Sequence, residues 1–285
     1  MLRCAQNDTR LPTIWPCLAQ DLPDEHTNSR QACQKAILTL ATPMPDTVIF
    51  EKSDGIAWVT LNRPRQLNAL NLAMRDELWA VMGAVQIDPD VGVVIIKGAG
   101  ERAFSSGADI SEFGTAPSYV EARGARHERD LWGLMLGLEK PLISAVHGYA
   151  LGAGCEMSLC CDLRIASEDA RFGLPEVNLG YIPSAGGTQL LPRTIGPGNA
   201  LLMILSGDPI DAQTALDYGL VQWVVPRDQL YSRAEEIARK VLARPPEILR
   251  LAREAVRRGL EVPLAEGLRL EATLAARALR LRGGS

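Results

Sequence analysis

Short apolar runs alternate with amphipathic segments from Thr47 to about residue 206, and this alternation is the strongest constraint on the fold. The stretch TVIFEKSDGIAWVTLNRP predicts two strands joined by a turn at residues 53–55. VGVVIIKGAG and PLISAVHGYA predict buried strands, and EMSLCCDLRIAS predicts a helix followed by a strand near residues 163–166. Strands that alternate with helices indicate an α/β domain with largely parallel strands.

The helices are predicted from their apolar period. NLAMRDELWAVMGAV carries an apolar stripe on one helical face, formed by Leu72, Leu78, Trp79, Met82 and Val85. After about Gly207 we expect no further strand, and four segments predict helices: IDAQTALDYGL, LYSRAEEIARKVLAR, PPEILRLAREAVRRGL and PLAEGLRLEATLAARALRLR.

Residues 1–45 show no sustained period of either kind, and we expect them to form a poorly ordered extension. Their acidic residues argue against a transit peptide, and they contain no continuous apolar region of the kind found in a secretory signal. The predicted organisation is therefore an extension over residues 1–45, a core over 46–206 and a helical region over 207–285.

Composition excludes several classes of protein. The 285 residues are 47% hydrophobic, enough for a sizeable core, and the net charge of -4 argues against a nucleic-acid binder. No apolar run reaches the roughly 20 residues of a membrane span, so we expect a soluble protein.

The cysteines form no CxxC and the histidines no HExxH, so we expect no metal site. Cys155, Cys160 and Cys161 lie in one apolar stretch and are interpreted as reduced core residues, which suits the cytoplasm.

Three common catalytic motifs are absent. No GxGxxG follows a strand, no GxxxxGK[ST] is present, and Ser184 in IPSAGG lacks the first glycine of a GxSxG elbow. A nicotinamide enzyme, a P-loop enzyme and a serine hydrolase are therefore not favoured.

Two glycine-rich stretches are candidates for binding an anionic oxygen. GAGERAFSSGADISEF, residues 98–113, follows a buried strand and can bring backbone N–H groups close to a ligand, although an ordinary strand-to-helix turn is the alternative. In GYALGAGCEMSLCCD, residues 152–154 turn the chain into a helix predicted to begin near Cys155. The first N–H groups of a helix lack internal partners and carry partial positive charge.

Two glutamates stand alone among apolar residues. Glu156 falls in the first turn of that helix, where complementing the helix dipole is the alternative to catalysis, and Glu176 follows Pro175 in FGLPEVNLGYIPSAGG, where an exposed loop glutamate is the alternative. Two carboxylates in apolar walls have raised or split pKa values, and two glycine-rich turns can supply a two-donor oxyanion hole. Together they fit acid/base chemistry next to a carbonyl, with a thioester enolate as intermediate and no need for a metal or nicotinamide.

Five motifs occur in a characteristic order: VTLNRPRQLNALN, AFSSGADI, GYALGAGCE, CDLRIASEDARFGLPEVNLGYIPSAGGTQLLPRTIG and GLVQWVV. From about Thr47 to the C-terminus the chain thereby resembles the enoyl-CoA hydratase/isomerase, or crotonase, family. The resemblance implies a spiral of β-β-α units followed by C-terminal helices that trimerise, giving a homotrimer or a dimer of trimers. It also implies an acyl-CoA thioester as substrate, with coenzyme A part of that substrate and no separate cofactor.

The resemblance assigns roles to individual residues. Ala108 and Ala153 align with the two oxyanion-hole donors, and Glu156 and Glu176 with the two hydratase glutamates. Having both glutamates favours hydration of a 2-trans-enoyl-CoA to a 3-hydroxyacyl-CoA, and leaves open which of them delivers the α-proton. The alternatives are an enoyl-CoA isomerase or another lyase of the family and, less favoured by the acidic charge, a non-catalytic CoA- or RNA-binding relative. The predicted substrate-binding residues are Ala108, Asp109, Ile110, Ser111, Gly152 and Ser184.

The sequence departs from the family pattern in three places. Ser111 stands where many hydratases carry a lysine beside the CoA, and Ser184 replaces a glycine common in the loop near the water site. The chain also stops before the basic helix with which relatives usually end. Four arginines of the preceding helix are predicted either to compensate for that helix or to form a solvated face: Arg250, Arg253, Arg257 and Arg258.

Overall fold

A computed structural model of the chain describes residues 47–112 and 129–283. The predicted extension over residues 1–45 lies outside the described residues, so it stays a prediction.

The described strands form two sheets. The large sheet contains, from one edge to the other, β1 (Val48–Ser53), β2 (Ile56–Leu61), β3 (Val93–Gly98), β5 (Leu142–Val146), β7 (Leu163–Ser167) and β10 (Trp223–Val225). The small sheet contains β4 (Ala103–Ser105), β6 (Tyr149–Leu151), β8 (Arg171–Gly173) and β9 (Ile210–Asp211) in that order.

Nine α-helices lie within the described ranges. They are α1 (Leu72–Ile87), α2 (Leu131–Gly137), α3 (Ala153–Cys160), α4 (Gly187–Ile195), α5 (Pro197–Ser206), α6 (Ala212–Asp217), α7 (Leu230–Leu242), α8 (Pro246–Gly259) and α9 (Leu264–Gly283).

Successive strands step from the large sheet to the small one. This step takes β3 to β4, β5 to β6 and β7 to β8, and a helix then carries the chain to the next unit. The pairs β3–β5 and β5–β7 are parallel, as are β4–β6 and β6–β8. The predicted α/β spiral of β-β-α units is thus confirmed. It places β4, β6 and β8 side by side in one direction, so the segments that follow them leave from the same edge.

The central strands of the large sheet are apolar and buried on both faces, whereas the edge strand β1 is largely exposed. Along β3, Val94 and Ile96 belong to the core cluster that contains the buried face of α1. Val93 and Ile95 belong to a second cluster with residues of α7, such as Leu230. A parallel strand covered on both sides is expected to be a continuous apolar run, as VVII is.

Most local predictions are confirmed. The hairpin β1–β2 turns at Asp54 and Gly55, both with left-handed φ, as a tight hairpin of right-handed twist requires. In α1, Leu78 and Met82 are buried, but Leu72 is 53% exposed and does not join the predicted stripe. Leu72 is the first residue of the helix, directly after the N-cap Asn71, and the buried residues of the helix begin at Met74.

Two predictions about strands are wrong. Strands β9 and β10 lie beyond Gly207, where none was expected, and β4 lies within residues 98–113, which were predicted as a loop. These strands have only two or three residues, too few to show a period of two. Pairing with other strands defines them, since β4 pairs with β6, β9 with β8 and β10 with β7.

Candidate active site

The candidate site lies where three parallel strands of the small sheet end. Strand β4 is followed by Gly107 and Ala108, and β6 by Gly152 and the start of α3. Strand β8 is followed by a 3₁₀ helix that carries Glu176. Because the three strands are adjacent and parallel, their carboxyl ends bring together segments that are far apart in sequence.

The turn after β4 leaves the N–H group of Ala108 outside the backbone pairing with Leu70. Leu70 N donates to Gly107 O at 2.8 Å, and Asp109 N donates to Leu70 O at 3.0 Å. In this parallel bridge the N–H of Ala108 itself points away from Leu70 and does not take part in the pairing. The turn needs glycine at position 107, which has a φ of 104° and whose Cβ would lie 2.9 Å from Leu151 O.

The turn after β6 supplies a second N–H group. Gly152 has φ 48° and ψ -125°, a conformation restricted to glycine, and α3 begins immediately after it at Ala153. The helix therefore starts two residues before the predicted Cys155. The N–H of Ala153 has no partner within the helix because it is in the first turn. A Cβ on Gly107 would lie 3.5 Å from Ala153 N, so the two turns are in contact.

Glu156 is buried, with only 2% of its surface exposed. Its Oε1 accepts hydrogen bonds from Ala185 N at 2.8 Å and Gly187 N at 2.9 Å. Gly187 permits this approach because a Cβ there would lie 2.9 Å from the same oxygen. The carboxylate is therefore tied to the loop before α4, which also carries the exposed Ser184, and is more than a complement to the helix dipole.

Glu176 lies on the 3₁₀ helix Pro175–Leu179 and is half-buried. A Cβ on Gly152 would lie 2.9 Å from its Oε1. Its Oε2 is buried and has no hydrogen-bond partner within the described part of the chain. Burial, reinforced by the charge of Glu156, raises the pKa of the Glu176 carboxyl to about 6. Such a group is a base at neutral pH and an acid only slightly below it.

The predicted substrate-binding residues beside Ala108 differ in their exposure. Ile110 is 65% exposed, whereas the Asp109 carboxylate accepts hydrogen bonds from Ser111 Oγ at 2.7 Å and from an Arg63 Nη at 2.9 Å. These two hydrogen bonds hold the pKa of Asp109 below its usual range despite partial burial. Sequence reasoning missed Arg63; its position just after a buried strand, in LNRP, is the only signal that pointed to it.

The arginines of α8 form two groups. Arg253 and Arg257 both contact the Asp162 carboxylate, with closest distances of 2.8 Å and 3.0 Å, so the predicted solvated face is wrong for this pair. Arg250 and Arg258 form ion pairs with glutamates of their own helix, including Glu254.

Cys155, Cys160 and Cys161 are free and buried, as predicted. Burial raises the pKa values of Cys155 and Cys161 to about 12, so neither thiol is a nucleophile at neutral pH. In the portion of the chain with described coordinates, no group of three or more His, Cys, Asp or Glu residues is arranged to hold a metal ion. There too, no helix is long and apolar enough to cross a membrane.

Comparison with known proteins gives consistent matches. The family model for enoyl-CoA hydratase/isomerase matches residues 51–280. The short-chain-enoyl-CoA hydratase of Clostridium acetobutylicum is 44% identical over 79% of this chain and 87% of its own length. The crotonyl-CoA hydratase of Syntrophomonas wolfei is 40% identical over 80% and 87%, respectively. The crystal structure of an enoyl-CoA hydratase from Bacillus anthracis superposes with a TM-score of 0.78 at 40% identity, covering 82% of this chain and 92% of that one.

Proposed function

The chain belongs to the enoyl-CoA hydratase/isomerase family and is an enoyl-CoA hydratase, and on this premise we propose that hydration takes place at the edge of the small sheet. The reaction adds water across the double bond of a 2-trans-enoyl-CoA to give a 3-hydroxyacyl-CoA. The observation that carries the assignment is the contact between the turns at Gly107 and Gly152, with Glu176 against Gly152.

The two turns form the oxyanion hole of this proposal. The N–H groups of Ala108 and Ala153 donate to the thioester oxygen, which gains negative charge as water adds to C3. Alanine is suitable at positions 108 and 153 because the donor is the backbone N–H. The positive φ angles of the two turns belong to the preceding residues, Gly107 and Gly152. The partial positive charge at the start of α3 adds to the stabilisation of the enolate.

The two carboxylates divide the work on one water molecule. Glu156, anchored by two N–H donors, orients the water toward C3. Glu176 takes a proton from that water as the C3–O bond forms and passes the proton to C2. A pKa of about 6 suits this relay, since the group is ionised at neutral pH but exchanges protons readily. All atoms of the water enter the product and both carboxylates are regenerated.

The proposed substrate is a short-chain acyl-CoA, by analogy with the short-chain and crotonyl-CoA enzymes that the chain resembles. Residues 108–111 and Ser184 line the CoA in this proposal. Because the side chains of Asp109 and Ser111 are bonded to each other, this segment contributes its backbone and the exposed Ile110. Without a lysine at position 111, CoA binding depends little on an ion pair there.

We propose a homotrimer or a dimer of trimers in the cytoplasm. Free, buried cysteines suit a reducing compartment. Large exposed apolar side chains on α5 and α9 provide surface for subunit contacts: Leu201, Leu202, Leu205, Leu264 and Leu268. Light scattering coupled to size exclusion measures the assembly, and a monomer would contradict the proposal.

Crotonyl-CoA is the substrate for the deciding test. The wild type is expected to remove the enoyl absorbance and yield 3-hydroxybutyryl-CoA, and Glu156→Gln and Glu176→Gln are each expected to lower kcat by about 10²- to 10⁴-fold. Unchanged rates in both variants would contradict the site. A panel of chain lengths that includes 3-enoyl-CoA substrates separates a hydratase from an isomerase, because an isomerase returns the 2-enoyl-CoA without adding water.

A further inference from the structure

The carboxyl end of α3 lies in the protein interior, opposite the end that holds the proposed oxyanion donor. All residues of α3 from Gly154 to Cys160 are buried. The last carbonyl groups of a helix have no partners within it and carry partial negative charge, so a buried helix end needs donors from elsewhere. Here two guanidinium groups supply them, from Arg164 and Arg257.

Arg164 is a buried cation with only 6% of its surface exposed. One Nη donates to Ser158 O at 3.2 Å and to Cys161 O at 2.7 Å, and its Nε donates to Leu220 O at 2.5 Å. No carboxylate within the described ranges forms an ion pair with Arg164. Burying a charge in this way is costly, and these three carbonyl groups, two of them at the end of α3, compensate it.

Arg257 reaches the same helix end from α8. Its Nη2 donates to Cys160 O at 2.8 Å, and its Nη1 donates to Leu136 O at 2.8 Å. Arg253, one turn earlier on α8, pairs with the same Asp162 and donates to Leu138 O, but it makes no hydrogen bond to a carbonyl of α3 among the residues that the structure describes. Arg253 and Arg257 therefore differ chiefly in the hydrogen bond to Cys160 O, which Arg257 alone of the two donates.

We propose that Arg164 and Arg257 are positioning residues that hold the carboxyl end of α3 and thereby set the position of Ala153 N–H and Glu156 at its other end. The inference rests on the proposed function of that end. A helix of eight residues is only about 12 Å long, so a shift at one end is transmitted to the other. Displacements of about 1 Å at a reacting group cost about 10²-fold in rate.

The matched pair Arg257→Met and Arg253→Met tests the proposal in the full-length protein. Each variant removes one cation from Asp162, but only the first removes the bond to Cys160 O. We expect Arg257→Met to lower kcat by about tenfold with KM changed less than about twofold, and Arg253→Met to keep kcat within about twofold of the wild type. Arg257→Lys, which can still donate to one carbonyl, is expected to restore part of the loss.

The carbonyl stretching frequency of a bound thioester reports on the oxyanion donors and does not require the hydration reaction. Butyryl-CoA with a ¹³C thioester carbonyl cannot be hydrated, and binding to aligned N–H donors lowers its carbonyl stretching frequency. The shift is expected to be smaller in Arg257→Met than in the wild type and unchanged in Arg253→Met. Arg164→Lys, which keeps the charge but loses the fork of donors, is expected to behave like Arg257→Met.

Equal losses of kcat in Arg253→Met and Arg257→Met would overturn the proposal, because they would indicate undocking of α8. A wild-type carbonyl shift in Arg257→Met would overturn it as well. If the wild type did not hydrate crotonyl-CoA but the two variants still differed in carbonyl shift, the proposed function would fail while the positioning role would stand.

Discussion

The carboxylate of Glu176 lies directly against the backbone of Gly152, so close that a Cβ on this glycine would sit 2.9 Å from Oε1. One residue therefore provides both the turn that starts α3 and the space that the proposed proton relay occupies. A side chain at position 152 would disturb the oxyanion donor and the acid/base group at once.

Replacing Gly152 by alanine is expected to lower kcat by about 10²-fold and the free energy of unfolding by about 1–3 kcal/mol. The alanine has to adopt a conformation restricted to glycine and also displace Glu176. Kinetics on crotonyl-CoA and urea unfolding measure the two effects. Gly198→Ala is the control, because a Cβ there meets no atom within 4 Å; it should leave kcat unchanged and should not lower the free energy of unfolding, since alanine favours a helix more than glycine does.

The pH dependence of kcat/KM is expected to show an acid limb near pH 6. The raised pKa of Glu176 means that the proposed relay loses its ionised form as the pH falls through about 6. Below that value kcat/KM should fall about tenfold per pH unit. Initial rates between pH 5 and 8 test this, and a profile that stays flat down to pH 5 would argue against Glu176 as the proton acceptor.

Glu176→Gln is expected to raise Tm at pH 7.5 while abolishing most activity. The pKa of this carboxyl is about 6 in the folded protein, against an ordinary value of 4.5 for a glutamate. Ionisation of Glu176 therefore lowers the free energy of unfolding above pH 6. This destabilisation decreases as the pH falls from about 6 to 4.5, because the carboxyl in the folded state is then protonated. The gain in Tm over the wild type should therefore vanish near pH 4.5, and calorimetry at both pH values measures it. A lower Tm for the variant at pH 7.5 would show that the ionised carboxylate stabilises the fold.

Arg63→Met is expected to destabilise the segment that carries Ala108. Arg63 donates to Asp109 Oδ2 and to Ala69 O, and the side chains of this ion pair are 17% and 15% exposed. Leaving these acceptors unpaired costs about 1–3 kcal/mol of unfolding free energy. We expect kcat to fall several-fold as well, because Ala108 precedes Asp109.

The exposed Arg65, two residues further along the chain, offers a matched control for charge. Arg65→Met should leave both the unfolding free energy and kcat near the wild-type values. If the two variants behaved alike, the ion pair with Asp109 would have no part in holding the segment.

Local sequence patterns predicted the elements whose cause is local. The turn at Asp54 and Gly55, the buried Leu78 and Met82 of α1 and the helices after β10 follow from left-handed turn residues and the helical period. The same reasoning failed for β4, β9 and β10, because strands of two or three residues exist through pairing with distant strands. It also placed Leu72 in the core, because the apolar period does not show which turns of a helix are covered by neighbouring elements.

The candidate site was only partly accessible from sequence. The glycine-rich turns and the isolated glutamates pointed to chemistry beside a carbonyl, and the resemblance assigned Ala108, Ala153, Glu156 and Glu176 to it. The hydrogen bonds from Ala185 and Gly187 to Glu156, and the ion pair of Arg63 with Asp109, were not predictable. They join residues about 30 to 46 positions apart, and no local period encodes such distances.

The sequence by itself determined the α/β class, the glycines that permit the turns and the identity of the acidic side chains, because backbone freedom and chemical type are properties of single residues. Only the tertiary structure decided that β4, β6 and β8 lie side by side and release their chains at one edge. That adjacency places Glu176 against Gly152 and gives its carboxyl a pKa of about 6. Proximity and burial depend on the packing of the whole chain, so the reactivity of Glu176 is a property of the fold and not of the residue.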